Sequence, residues 1–120
     1  MAKILVHITS GTENPTKAAL GFHVAKVALE DGHEVTLFLA GDGVQLMRDG
    51  AIDHLSGLGT GNLRQLYDAL VAGGAKFYLS GMSAKTRGLT DQELEGKAYQ
   101  FGGPADLVRL SLENDRLFSY

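Results

Sequence analysis

Three short runs of β-branched, aliphatic and aromatic residues set the terms on which this chain can fold: KILVHI at 3–8, EVTLFLA at 34–40 and AKFYL at 75–79. Each has the length of a strand, runs into a turn containing serine or glycine, and is separated from the next by a stretch of helical periodicity. Strands separated in this way join through right-handed crossovers. The crossover helices then lie over a mostly parallel sheet that is buried on both faces.

The intervening segments carry their own start and stop signals. In NPTKAALGFHVAKVALEDG, Asn14 reads as an N-cap, Pro15 as N1 and Gly32 as the residue that closes the helix. Leu20, Val24, Val27 and Ala28 fall on one face and are expected to pack on the sheet, with Phe22 outside that stripe. GDGVQLMRDG predicts a short helix stopped at Gly50, residues 51–61 a loop, and NLRQLYDALVAGG a helix packed through Leu63, Leu66 and Leu70, with Tyr67 outside its stripe. Further on, TDQELEGK predicts a helical turn and AYQFG a short fourth strand. PADLVRLSLEND predicts a helix with proline at N1 and Leu107, Leu110 and Leu112 at helical spacing, and RLFSY a fifth strand. The expectation is one three-layer α/β/α domain over residues 1–120, with about five mostly parallel strands in the flavodoxin-like order 2-1-3-4-5.

Composition narrows the function classes. Of 120 residues, 44% are hydrophobic and 21% charged, and the net charge of −3 comes without a block of like charges. This predicts neither a nucleic-acid partner nor an anionic membrane surface. Apolar runs fall far short of the ~20 residues that cross a bilayer, and the N-terminus lacks the length of a signal peptide, so a cytoplasmic protein is expected. With no cysteine, disulfides, thiolate catalysis and cysteine-ligated metal are excluded in this chain. His7, His23, His33 and His54 lack metal-ligand spacing, and neither a metal nor a cofactor is expected. His7 reads as a core histidine, His33 as a turn residue and His23 as a mid-helix position. His54 is the one free to reach a crevice.

Ligands of such sheets bind beyond the carboxyl ends of the strands, where the strand order reverses. With order 2-1-3 that crevice lies between the first and third strands. It would be flanked by TSGTENPT at 9–16 and SGMSAKTRG at 80–88, with GDG at 41–43 nearby. The first loop fails as a Walker A motif and as G-x-G-x-x-G. In composition it resembles the phosphate-binding loop of flavodoxins, but Pro15 removes one amide and Asn14 reads equally as a helix cap. Thr12 and Asn14 on this side, and Asp42 on the next turn, are the candidate ligand-binding residues. On the other side stand Ser80, Gly81, Ser83, Lys85 and Arg87. Ser80 follows the third strand directly, yet a serine hydroxyl is a poor nucleophile without a positioned base, and there is no G-x-S-x-G elbow. Lys85 and Arg87 could hold an anion. Alternatively, Arg87 pairs with a carboxylate and fixes the loop.

AKFYLSGMSAKTRGL, LAGDGV and the ending LVRLSLENDRLFSY together resemble the DsrE/DsrF-like family, over nearly the whole chain and in order. The resemblance implies a small flavodoxin-like protein that assembles as a homo-oligomer, a trimer or hexamer, in a family that carries sulfur as a cysteine persulfide. In many members the third strand ends in that cysteine, followed by a small-residue loop and an Arg-Gly pair. Here Arg87-Gly88 supplies the pair and Ser80 stands at the cysteine position. Serine cannot form a persulfide. The fold and oligomer therefore carry over from the resemblance, while sulfur transfer by this chain does not. A crevice for a small anionic or sulfur-containing ligand is the leading expectation, with Ser80 as the nominal catalytic position. A non-catalytic regulatory or partner-binding subunit and a flavin- or nucleotide-binding protein are the alternatives.

Overall fold

The computed structural model describes residues 1–120 and alternates strand and helix along the whole chain. β1 is Lys3–Ile8, α1 Pro15–Glu30 and β2 Glu34–Leu39; a 3₁₀ segment, Gly41–Met47, then leads into α2, Asp49–Ile52. β3 (Ser56–Gly57) and β4 (Gly61–Asn62) form a small antiparallel hairpin before α3, Leu63–Ala72. β5 (Lys76–Ser80), α4 (Gly81–Thr86), α5 (Asp91–Leu94), β6 (Gln100–Gly102), α6 (Pro104–Glu113) and β7 (Arg116–Ser119) complete the chain.

The sheet has five strands, all parallel, in the order β6-β5-β2-β1-β7. The α/β class and the five expected strands are therefore present, but the order 2-1-3-4-5 is not. Counted along the chain, the main strands lie 4-3-2-1-5. The physical reason is the direction of the crossovers. From β1 the chain steps to β2, β5 and β6 in one direction, and only α6 carries it back across the sheet to β7. Right-handed crossovers then put α1, α3 and the α4–α5 connection on one face and α6 alone on the other.

The two faces are unequal. Ile4, Val6 and Ile8 of β1, Val35, Leu37 and Leu39 of β2, and Phe77 and Leu79 of β5 join a cluster of 23 buried residues beneath α1, α2 and α3. On the opposite face only Leu5, Phe38 and Leu110 form a buried cluster, bordered by Ala40, Tyr78 and Leu107.

The helix α1 packs through a different stripe from the one its large aliphatics suggest. Ala18, Ala19, Gly21, Phe22, Ala25 and Ala28 are buried, whereas Leu20 and Val27 are exposed. Small residues let the helix backbone approach the sheet closely. A Cβ at Gly21 would lie 2.7 Å from Ile8 Cδ1, so any larger residue there must displace the Ile8 side chain. Phe22 and Tyr67, placed outside the stripes by spacing, both lie in the main core. In α6, Leu107 and Leu110 face the sheet but Leu112 is exposed. Gly50 lies inside α2 instead of stopping a helix, and the stretch 51–61 includes the β3 strand and the first residue of β4.

Candidate functional site

The stretch 80–88 is not a loop. Ser80 ends β5 and its Oγ accepts the N–H of Ser83 at 3.2 Å, which makes it the N-cap of α4. The helix continues to Thr86 and carries Ser83 and Arg87 toward the neighbouring turn after β2. There Gly41 N–H donates to Ser83 Oγ at 2.9 Å. Arg87 Nε donates to Asp42 Oδ1 at 3.0 Å and its Nη1 to the Ser83 carbonyl at 3.3 Å. Ser80, Ser83, Asp42 and Arg87 are thus brought together, and Arg87 has the carboxylate partner that one reading of the sequence gave it.

Arg48 completes this frame and was not among the residues singled out from sequence. It donates through Nη2 to the Arg87 carbonyl, through Nη1 to Glu93 Oε2 at 2.5 Å and through Nε to Gln45 Oε1 at 2.6 Å. The hydrogen bond from Arg48 holds the Glu93 carboxyl below the usual carboxylate range. Only the short-range Gln45 contact leaves a local trace; the other two partners lie 39 and 45 residues away. Asp49 is likewise held low by its hydrogen bond from Lys97, which ties α2 to the segment before β6.

Thr12 and Asn14 do not join the group. Thr12 is exposed, and Asn14 Oδ1 accepts the N–H of Lys17 at 3.2 Å as the cap of α1. The reason is the strand order: β2 lies between β1 and β5, so the expected crevice between the first and third strands does not exist. The 9–12 segment meets the 41–43 turn from the far side, where a Cβ on Gly11 would collide with the Asp42 carbonyl. Lys85 is exposed and its side chain makes no hydrogen bond or ion pair. Gly81, the first residue of α4, faces Phe101 of β6.

Applied to the observed order, the same topological rule points elsewhere. The exits from the carboxyl ends diverge between β5, whose connection stays on the α1 face, and β6, whose helix crosses to the other face. Ser80 pairs in register with Gly102 at that divergence. Beside it Asp106 Oδ2 accepts the Gly103 N–H at 2.7 Å and closes the start of α6. Met82 is 73% and Phe101 52% exposed, and Tyr99 packs edge-on against Phe101 with 5.3 Å between ring centroids. Exposed apolar side chains, Met82 and Phe101, thus stand within two residues of Ser80 and of its register partner Gly102. A cavity of about 210 Å³ lies at the opposite end of the sheet over Lys3, Glu34, Thr36 and Lys76, flanked by Arg109 and Glu113 of α6.

No histidine hydrogen-bonds Ser80. His54 is exposed at the end of α2, and His33 Nδ1 accepts the N–H of Ala2 at 3.0 Å. His7 lies on the α6 face, edge-on to Phe38, with a buried Nε2 that has no partner. Burial lowers its pKa below the ordinary 6.5.

The sequence model of the DsrE/DsrF-like family matches residues 2–120. An uncharacterised protein of Methanocaldococcus jannaschii is 34% identical over 108 residues, which are 90% of this chain and 39% of that protein, so the chain spans about two-fifths of the length of this relative. Among solved structures, the ychN protein from E. coli superposes with a TM-score of 0.81 at 20% identity, over 100% of both chains. A protein of unknown function from Methanobacterium thermoautotrophicum superposes with a TM-score of 0.76 at 13% identity, again over 100% of both. These two structures share the fold. No helix of the chain is long and apolar enough to cross a membrane.

Proposed function

The chain belongs to the DsrE/DsrF-like family, a family linked to sulfur relay, and from that premise we propose that it is a non-catalytic, partner-binding member working in the cytoplasm. One observation carries this reading. Where the family's carrier cysteine would stand, Ser80 has its hydroxyl engaged as a helix cap, and the nearby Met82 and Phe101 are large apolar side chains left exposed. A small molecule needs a concavity to bury most of its surface, whereas an exposed apolar patch rimmed by polar groups suits a protein partner. The partner class that fits a sulfur-relay setting is a protein carrying the thiol that this chain lacks. A photo-crosslinking side chain at position 82 tests this: it should capture a thiol-bearing protein, and Phe101→Glu should abolish the capture. Capture of no thiol protein would sink the reading.

A second reading, a site for a sulfur oxyanion or similar small anion, rests on Lys85 and on Arg87 Nη2, neither of which has a partner within the chain. Titration calorimetry with thiosulfate, sulfite and phosphate separates the two. Saturable heat that disappears in Lys85→Ala/Arg87→Ala would establish the anion site; no heat supports the partner-binding reading.

A further inference from the structure

The cavity at the amino end of the sheet has a lining that folding does not ask for. Nine residues surround its volume of about 210 Å³, and only two of them, Tyr78 and Leu110, are hydrophobic. Alternation along the strands puts Lys3, Glu34, Thr36 and Lys76 on the face that α6 crosses, where Leu5 and Phe38 build a small core with Leu110. In register, Lys3 stands beside Glu34 and Thr36 beside Lys76. Strand positions beneath a helix are stable when apolar, as Leu5 and Phe38 are; these four are polar or charged.

Their polar groups are not used within the chain. Arg109 Nη1 donates to both carboxylate oxygens of Glu113, at 3.1 and 3.0 Å, so the helix side of the cavity is internally paired. On the strand side, the side chains of Lys3, Lys76 and Glu34 form no ion pair or hydrogen bond. Thr36 is only 8% exposed, lines the cavity and makes no side-chain hydrogen bond, which leaves its hydroxyl available there. The unpaired set is therefore two cations, one anion and one hydroxyl.

We propose that this cavity binds an acidic α-amino acid, L-aspartate or L-glutamate. Such a molecule carries two carboxylates and one ammonium, the complement of the three unpaired charges, and its net charge of −1 offsets their +1. Lys3 on β1 and Lys76 on β5 are two strands apart, ~10 Å at ~4.8 Å per strand, with Thr36 and Glu34 of β2 between them. Each lysine takes one carboxylate, the Thr36 hydroxyl donates to a carboxylate oxygen, and Glu34 accepts from the ammonium. The methylene carbons rest against Tyr78 and Leu110. A volume below the ~300 Å³ at which pockets for drug-sized ligands begin suits a molecule of this size better than a nucleotide. A plain dicarboxylate would face Glu34 with a like charge, and inorganic phosphate would leave Glu34 unanswered. The cavity lies at the opposite end of the strands from Ser80, so the proposal stands whether or not the reading of the Ser80 surface does.

Titration calorimetry of the whole chain tests this. L-Glutamate or L-aspartate should give saturable one-to-one binding. Glutarate, which keeps both carboxylates and lacks the ammonium, should bind at least about fivefold more weakly, and Glu34→Gln should erase that preference. Lys3→Ala/Lys76→Ala should abolish saturation by the amino acid. Lys3, Glu34 and Lys76 are exposed, so the circular dichroism melt should be retained in these variants. No saturable heat with either amino acid, equal affinity for glutarate or phosphate, a preference that survives Glu34→Gln, or binding that survives the double lysine substitution would overturn the proposal.

Discussion

The two faces of this sheet are built from the same strands and do different work. One face is closed by three helices and a 23-residue cluster in which Phe22 and Tyr67 both pack on Phe77. The other is crossed by a single helix, holds a cluster of three buried apolar residues, and leaves polar strand residues at one end and a histidine without a partner at the other. Stability resides on the first face. The second face and the sheet's carboxyl ends hold the features that stability alone does not require. The difference teaches that a strand's alternation distributes its burial unequally when the crossovers mostly run one way.

The sharpest way to break the comparison is to truncate one side chain on each face. Phe22→Ala should cost about 3–5 kcal/mol and Leu110→Ala about 2 kcal/mol in urea denaturation, because the thinly covered side collapses around a lost side chain more easily. Equal costs would mean that α6 closes its face as tightly as α1 closes the other. A loss of about 1–3 kcal/mol is expected for Gly21→Val, which must displace the Ile8 side chain; an unchanged midpoint would show that the close approach is not a constraint.

At the carboxyl edge the effects shrink further. Ser80→Ala removes the cap of α4 and should cost ~1 kcal/mol, with Ser80→Asp restoring it. Failure of that rescue would deny the capping role. Arg87→Ala breaks an ion pair that is partly solvated on both sides and should cost less than about 1 kcal/mol. The smallest change is confined to pH. The folded pKa of His7 lies below its unfolded 6.5, so the unfolded chain binds the extra proton first. The stability tied to neutral His7 is full above pH 6.5 and is lost as the pH falls toward the folded pKa. His7→Leu should flatten the fall in melting temperature between pH 7 and 5; an unaltered slope would assign that fall to other groups.

The elements were legible because their causes are local. Asn14 and Pro15 start α1, Asn62 caps α3, and the Thr90 and Glu93 side chains close the capping box of α5. The buried stripe of α1 was not legible, since Leu20 and Val27 have the right spacing and only the closeness of Ile8 favours Gly21 and the alanines. At the site, Ser80, Ser83, Asp42 and Arg87 could be picked out by residue type. Their grouping without Thr12 and Asn14 follows from the position of β2. Arg48 was missed because its Glu93 and Arg87 partners are distant in sequence.

The sequence by itself determined the α/β class, the strands and their intervening helices, and the absence of thiol chemistry, because apolar periodicity, caps and residue identity are properties of short segments. Tertiary structure alone decided the order of the strands, which face became the main core, and that Ser80 stands beside Gly102 instead of facing Asn14. Those outcomes depend on the direction each crossover takes, and that direction is set by packing between residues dozens of positions apart.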